Sequence, residues 1–246
     1  MTQVITSLSN PTIKQIVKIR KDKKFREDEK KVLVVGKKAI KDLNKNHVAI
    51  LITTNKHKIN SIKSNKVLLV SNKIMKKITN VENPEDIAAV IDMDNSKKIV
   101  KKEFVLILDN ISDPGNLGTL LRSANAFGFD LVIISKSSCD PYNEKALRAA
   151  KTATFFIPIK IMTEEEILNF IAKNNLHSYI ADIEGKNIKN EEFKKPLCII
   201  LSNESKGPSN SLKKISKKVT ILMKKDVDSL NVAVAGSIIM HRIKDL

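Results

Sequence analysis

Residues 104–122 read FVLILDNISDPGNLGTLLR, and this stretch decides the fold of the 246-residue chain. Its first six residues form a continuous apolar run that ends in Asp109, as is typical of a strand buried on both faces of a parallel sheet. Asp113, Pro114 and Gly115 indicate a turn, and the leucines after it recur at helical spacing. A strand, a loop and a helix in this order place the loop at the carboxyl edge of an α/β sheet, where such folds bind ligands.

The same alternation of strands and helices continues to the end of the chain. Apolar runs predict strands at 131–134, 155–159, 179–181, 197–201 and 219–223. Helical spacing predicts helices at 164–173 and 230–243, and the second of these is apolar on nearly every face. The pattern predicts an α/β domain built on a parallel sheet that helices cover on both faces.

The front of the chain predicts a second, smaller α/β domain. Strand-like runs occur at 32–35, 48–52, 67–70 and 87–91, and helical patterns occur at 12–26, 39–43 and 74–78. A polar, charged stretch then separates the two halves. We therefore predict a domain at 1–95, a linker at 96–103 and a second domain at 104–246.

The positive charge is concentrated in the front half. Residues 1–102 carry 24 basic and 10 acidic side chains, whereas residues 103–246 carry 20 and 17. A general bias toward lysine would not confine the excess to one half. The asymmetry predicts that the front domain binds a polyanion, with nucleic acid favoured.

Several classes of protein are disfavoured by the composition. No secretory signal is visible at the start, and no apolar run has the roughly 20 residues that a membrane-spanning helix needs. Cys139 and Cys198 form no CxxC motif, and the four histidines are scattered without the spacing of a metal site. We expect a soluble, cytoplasmic protein in a reducing compartment, without a membrane segment and without a metal.

Three loops carry polar residues at the predicted carboxyl edge. The first contains Asn116 and leads to Arg122, which we expect, with Gly118, on the helix face opposite the leucines. The second, at 201–208, contains Glu204. The third opens the terminal helix with Asn231, and we expect Asp228 or Ser229, just before it, to be the N-cap.

These loops resemble the three motifs of the SpoU/TrmH family of the SPOUT class. The matching residues are Asn116, Gly118 and Arg122 in the first, Asn203, Glu204 and Gly207 in the second, and Ser229, Leu230 and Asn231 in the third. The front half also resembles the family's RNA substrate-binding domain, which is similar to a small ribosomal-protein fold. The resemblance implies an S-adenosyl-methionine-dependent RNA ribose 2′-O-methyltransferase.

The resemblance also implies a structure and a site. It implies a deep trefoil knot formed by the C-terminal segment, a homodimer, and S-adenosyl-methionine bound in the knot without a metal. The functional positions of the family fall on Asn116, Arg122, Glu204, Ser229 and Asn231. The cofactor-binding positions fall on Ser202, Gly207, Ile221, Met223 and Leu230.

Three residues depart from the family pattern. Ser202 replaces a glycine, Leu222 replaces a proline, and Val35 replaces an acid that often precedes the glycine equivalent to Gly36. Recognition of the cofactor through the backbone tolerates Ser202 if its φ is negative. The Val35 departure concerns substrate choice and leaves the predicted fold unchanged.

Ribosomal RNA is the favoured substrate, because a separate basic substrate domain is present. The alternatives are a transfer RNA 2′-O-methyltransferase and a non-catalytic RNA-binding assembly factor with the same fold. A Rossmann-type enzyme is disfavoured because no GxGxxG motif follows any predicted strand.

Overall fold

A computed structural model describes residues 2–43, 48–58, 62–93, 99, 101–203, 207–224, 227 and 229–244. The chain divides into two compact units, Met1–Asp94 with Tyr142–Leu147, and Asn95–Pro141 with Arg148–Leu246. No feature of the sequence predicted that Tyr142–Leu147 would group with the first unit. The domain and linker boundaries drawn from the sequence stay a prediction.

The first unit contains a five-stranded sheet. Its elements are β1 (Thr2–Ile5), α1 (Pro11–Lys21), α2 (Lys23–Glu29), β2 (Lys31–Val35), α3 (Lys37–Asp42), β3 (Val48–Thr53), β4 (Lys66–Val70), α4 (Asn72–Thr79) and β5 (Ile87–Asp92). The strand order is β1-β4-β3-β5-β2. The pairs β1–β4 and β3–β4 are parallel, whereas β3–β5 and β2–β5 are antiparallel. The predicted small α/β domain is therefore present, with β1 as a strand that the sequence did not reveal.

The predicted helix at 12–26 is two helices. The Asn10 side chain accepts the Thr12 N–H at 2.9 Å and begins α1, which buries a stripe of isoleucines against the sheet. Asp22 ends this helix in an extended conformation, and its Oδ1 accepts the Phe25 N–H at 3.0 Å to begin α2. An aspartate side chain that caps a new helix competes with continuation of the old one, so the chain breaks there.

The second unit contains a six-stranded sheet. Its elements are β6 (Phe104–Asp109), α5 (Pro114–Ala126), β7 (Leu131–Ser135), β8 (Ile159–Met162), α7 (Glu164–Lys173), β9 (His177–Asn187), β10 (Leu197–Ser202), α8 (Asn210–Ile215), β11 (Lys217–Thr220) and α9 (Val232–Lys244). The helix α6 (Glu144–Ala150) is divided, because its residues up to Leu147 group with the first unit. The strand order is β11-β9-β10-β6-β7-β8, and every pair is parallel. The predicted parallel α/β sheet is confirmed.

Two predicted strands of this unit are shifted. The strand expected at 155–159 is wrong, because the chain forms a 3-10 turn at Ala153–Phe155 and the strand β8 begins only at Ile159. Pro158 lies between them and has no N–H to donate to a ladder. The strand expected at 219–223 is β11, which ends at Thr220, and the residues beyond it form a loop.

The terminal helix α9 lies directly against β10 and α5. A Cβ atom at Gly236 would lie 2.4 Å from Leu201 Cδ1 and 2.5 Å from Leu120 Cδ2, so any larger residue would force these leucine side chains to move. Val234 and Ile238 on the same helix are 48% and 40% exposed. Within one copy of the chain the helix is thus buried on one side, and its other apolar face is exposed. No helix in the described ranges is long and apolar enough to cross a membrane.

Candidate active site

Two central strands end side by side and bring two of the three loops together. Asp109 ends β6 and Ser202 ends β10, and these residues are paired in register. The described residues of 110–113 and 203–209, which follow these two strands, are joined by hydrogen bonds. Asn203 Nδ2 donates to Ser112 Oγ at 2.9 Å, and the Ser209 N–H donates to Asp109 Oδ2 at 3.3 Å. The two loops are therefore held together where open α/β sheets bind ligands.

Asn231 connects the third loop, at 221–231, to the helix α5. Its Nδ2 donates to Asn116 Oδ1 at 3.1 Å, and its Oδ1 accepts the N–H groups of Ala233 and Val234 at 3.0 and 3.4 Å. Asn231 is thus the N-cap of α9, and it is exposed. The expected cap at Ser229 is wrong, because the helix begins only at Val232, and Asp228 lies outside the described residues.

Arg122 lies on the exposed face of α5. The buried stripe of this helix contains Leu117, Leu120, Leu121 and Ala124, as predicted, but Gly118 belongs to it as well. We expected Gly118 and Arg122 on the same face, away from the leucines. This is wrong for Gly118, which is buried, whereas Arg122 is exposed to solvent. Within the described ranges Arg122 makes no hydrogen bond or ion pair, so its guanidinium is available to a ligand.

The predicted cofactor-binding residues meet in one cavity. A cavity of about 540 Å³ opens beside the end of β10, among the described residues of 203–209 and of 221–231. All five of these residues, namely Ser202, Gly207, Ile221, Met223 and Leu230, line it, and so does Ser229. Asn116, Arg122 and Asn231 are not part of its wall, and Glu204 lies outside the described residues. The cofactor role of the five residues stays a prediction.

The cavity accommodates two of the departures from the family pattern. Ser202 is not among the residues with positive φ, so its backbone can face a ligand as glycine does. Gly207 has φ +63°, which an L side chain rarely adopts. Leu222 is 72% exposed and lies between the lining residues Ile221 and Met223 without lining the cavity itself.

Several polar residues of the site were missed by sequence reasoning. Asp182, Glu184 and Lys213 also line the cavity. Both acids follow the apolar run at 179–181, but they lie within β9, which continues to Asn187, so the run alone did not mark them as part of the site. Lys213 gave no signal, because lysines are frequent in this chain. Among the described residues, no group of three or more His, Cys, Asp or Glu side chains could hold a metal ion.

Asp109 is a buried carboxylate beneath the site. Asp109 is only 3% exposed. Besides the hydrogen bond from the Ser209 N–H, its carboxylate accepts one from Asn110 Nδ2 at 3.1 Å. Burial raises the pKa of the Asp109 carboxyl, and repulsion from Glu164 adds to this. The hydrogen bonds from Ser209, Asn110 and Ser135 oppose the rise. The sequence placed Asp109 only as the end of a strand.

We expect Asp109→Ala to lower the free energy of unfolding by about 1–3 kcal/mol, because the half-buried donors at Ser209 and Asn110 lose their acceptor. We also expect the stability of the unaltered protein to fall as the pH rises from the ordinary aspartate pKa through the raised pKa of Asp109, because the folded state holds this proton more tightly than the unfolded state. Asp109→Asn should lack this component. Urea unfolding across pH measures both effects, and equal pH dependence in the two proteins would contradict the second.

Both halves of the chain match known families. Residues 103–241 match the SpoU rRNA Methylase family, and residues 10–89 match the MRM3-like substrate binding domain. The 23S rRNA (guanosine(2553)-2′-O)-methyltransferase RlmP of Bacillus subtilis is 30% identical over 185 residues, which are 68% of each chain. The 23S rRNA (uridine(2479)-2′-O)-methyltransferase of Streptomyces viridochromogenes is 24% identical over 195 residues, which are 74% of this chain and 68% of that one.

A solved structure has the same fold over nearly the whole chain. The AdoMet-bound rRNA methyltransferase from Sinorhizobium meliloti superposes with a TM-score of 0.88 at 24% identity, covering 99% of this chain and 98% of that one. The resemblance predicted from the three loops is confirmed by the match over more than half of the chain. The chain belongs to the SpoU rRNA methylase family, with a substrate-binding domain of the MRM3-like type in front of the methylase domain.

Proposed function

We propose that the protein transfers a methyl group from S-adenosyl-methionine to the 2′-hydroxyl of a ribose in ribosomal RNA. The observation that carries this proposal is the cavity at the carboxyl edge of the second sheet, which collects all five predicted cofactor residues from separate parts of the chain. Membership of the SpoU rRNA methylase family supports the reaction. The 23S rRNA substrate named for the relative from Bacillus subtilis supports the class of RNA.

The cavity fits S-adenosyl-methionine in size and chemistry. Its volume of about 540 Å³ lies within the range of roughly 300–1,000 Å³ that is usual for cofactor sites. Apolar side chains of Leu201, Ile221 and Leu230 line the cavity and would pack against the adenine base. Backbone groups at Ser202 and Gly207 supply hydrogen bonds without a glycine-rich dinucleotide loop. When bound, the cofactor supplies a methyl group on a positively charged sulfur.

The polar residues around the cavity have proposed roles in shaping it and in binding the substrate. The hydrogen bond between Asn231 and Asn116 fixes the start of α9 against α5. We infer that this pair holds the mouth of the cavity in place and that Ser229, on its wall, contacts the substrate or the edge of the cofactor. Glu204 is proposed to orient Arg122 or the substrate.

Arg122 is proposed to act on the reacting ribose by electrostatics. A guanidinium stays protonated in proteins, so it is a poor general base. It can instead bind the neighbouring phosphate in a bidentate manner and stabilise the alkoxide as it forms, while water takes the proton. The exposed position of Arg122, outside the cavity wall, supports a contact with RNA more than with the cofactor.

Two other functions are distinguishable from this one. A transfer RNA methyltransferase would share the cavity and would differ only in the RNA that it methylates. A non-catalytic assembly factor would bind RNA but would need no cofactor cavity, and the cavity lined by all five predicted cofactor residues argues against it. Because ribosomal RNA is the proposed substrate, the cytoplasm is the proposed compartment.

The proposal is tested by binding and by methyl transfer. Calorimetry should detect S-adenosyl-methionine binding in the presence of a metal chelator, because no ligand of the proposed site requires a metal. Incubation with ribosomal RNA and labelled cofactor should place the label on a ribose 2′-oxygen, as mass spectrometry of the nucleosides would report. Binding only with a divalent ion, or label on a base, would contradict the proposal.

We also propose a homodimer that packs around α9, and a trefoil knot in the C-terminal segment. Val234 and Ile238 leave an apolar face on this helix that one copy does not cover. The close approach of Gly236 to Leu201 supports the knot, because it packs the C-terminal segment tightly against β10.

Sedimentation at micromolar concentration should show a dimer, and Val234→Glu with Ile238→Glu should shift it toward monomer, because charged side chains are costly to bury in an interface. The matched control is Lys214→Glu with Lys224→Glu, because both lysines are exposed and lie outside α9. A monomer in the unaltered protein would contradict the dimer.

A further inference from the structure

The charged residues on the cavity wall differ in whether they have partners. Asp182 and Glu184 are held by Lys218, whose Nζ lies 3.6 Å from Asp182 Oδ2 and 2.7 Å from Glu184 Oε2. Lys213 lies in α8 and also lines the cavity. Within the described part of the chain, the ammonium group of Lys213 makes no hydrogen bond and no ion pair, although the Lys213 N–H donates to the Ser209 carbonyl at the start of α8. The cavity therefore has one cation whose charge the described residues do not neutralise.

The ammonium group of Lys213 lies beside a loop assigned to the cofactor. Its Nζ is 3.9 Å from the position that a Cβ atom would occupy at Gly207. The side chain is half-buried, whereas the next residue, Lys214, is exposed. A partly desolvated ammonium favours an anionic partner, since burying a charge without one is costly. An anion that enters the cavity at Gly207 would meet this group.

We propose that Lys213 binds the α-carboxylate of the amino-acid portion of S-adenosyl-methionine. This inference rests on the proposed function of the cavity. The adenine, the ribose and the sulfonium carry no negative charge, so the carboxylate is the one anionic group of the cofactor. Lys213 would then select ligands that retain the amino-acid portion over those that end at the sulfur. A contact between Lys213 and an RNA phosphate is the competing role, and the position of Lys213 on the cavity wall favours the cofactor.

Two ligands distinguish a contact between Lys213 and the carboxylate from a general effect of Lys213 on the cavity. S-adenosyl-homocysteine has the amino-acid portion, whereas 5′-methylthioadenosine shares its adenosine and thioether and lacks that portion. Calorimetry with the full chain should show that Lys213→Met weakens S-adenosyl-homocysteine binding by about 10- to 100-fold, as loss of a charge-assisted hydrogen bond predicts. Binding of 5′-methylthioadenosine should stay nearly unchanged, and Lys213→Arg should retain most of the affinity for S-adenosyl-homocysteine.

Lys214→Met is the matched control, because it removes the same charge from the neighbouring, exposed position of α8. It should affect neither ligand. Equal weakening of both ligands by Lys213→Met would overturn the proposal and indicate an effect on the shape of the cavity. Unchanged binding of both ligands, with or without weaker RNA binding, would overturn it as well. If the unaltered protein binds neither ligand, the proposed function fails, and the carboxylate role fails with it.

Discussion

Replacing Arg122 with alanine is expected to lower the turnover number about 10²–10³-fold, the usual cost of removing one electrostatic contact that strengthens in the transition state. Cofactor affinity should stay nearly unchanged, because Arg122 does not line the cavity. The fold should tolerate the change, since Arg122 is exposed on α5 and alanine favours helix. Single-turnover transfer of labelled methyl to RNA, with calorimetry of cofactor binding, measures both quantities.

Two further variants sharpen the assignment of Arg122. Arg122→Lys should restore little activity, because a single ammonium cannot reproduce the bidentate geometry of a guanidinium. Ser202→Gly should keep turnover within a few-fold, because Ser202 already has a negative φ and the glycine is the usual family residue. If Arg122→Ala retains near-normal turnover, or loses activity only because the cofactor no longer binds, the assignment is wrong and Glu204 becomes the next candidate.

RNA affinity is expected to fall about 10³–10⁵-fold between 50 and 200 mM salt if the protein contacts 6–10 phosphates, because binding releases counterions from the RNA. The charge excess of the front half motivates this expectation. The structure places exposed lysines on two helices of the first unit, Lys14 and Lys21 on α1, and Lys73 and Lys76 on α4. The buried stripes of these helices share one core cluster, so the lysines lie on their outer faces.

Replacing these four lysines with glutamine should lower the slope of log affinity against log salt by roughly one for each lysine that contacts a phosphate. A matched control removes four exposed lysines of the second unit, Lys173, Lys189, Lys194 and Lys214. Filter binding across a salt series measures both slopes. Equal losses in the two variants would contradict the assignment of RNA binding to the first unit.

Much of the fold was determined by the sequence alone. The apolar run at 104–109, the helical spacing after it and the same alternation further along the chain predicted the parallel sheet, because these patterns act over a few neighbouring residues. The charge asymmetry and the three loops predicted a basic substrate domain and a methylase domain, and the family matches confirm both. Two of the wrong predictions of secondary structure also had local causes. At Asp22 and at Pro158, one side chain overrode the surrounding pattern.

The arrangement of the site was decided by the tertiary structure. Asn231 was predicted only as the residue that opens the terminal helix, but it caps α9 and donates to Asn116, which lies 115 residues away in the chain. Asp109 and Lys213 had no signal, because one looks like the end of a strand and the other like any lysine. Asp109 matters because it accepts the Ser209 N–H from a distant part of the chain, and Lys213 matters because it lines the cavity. Spacing along the chain sets the local structure, whereas the order of strands in the sheet determines which distant side chains meet.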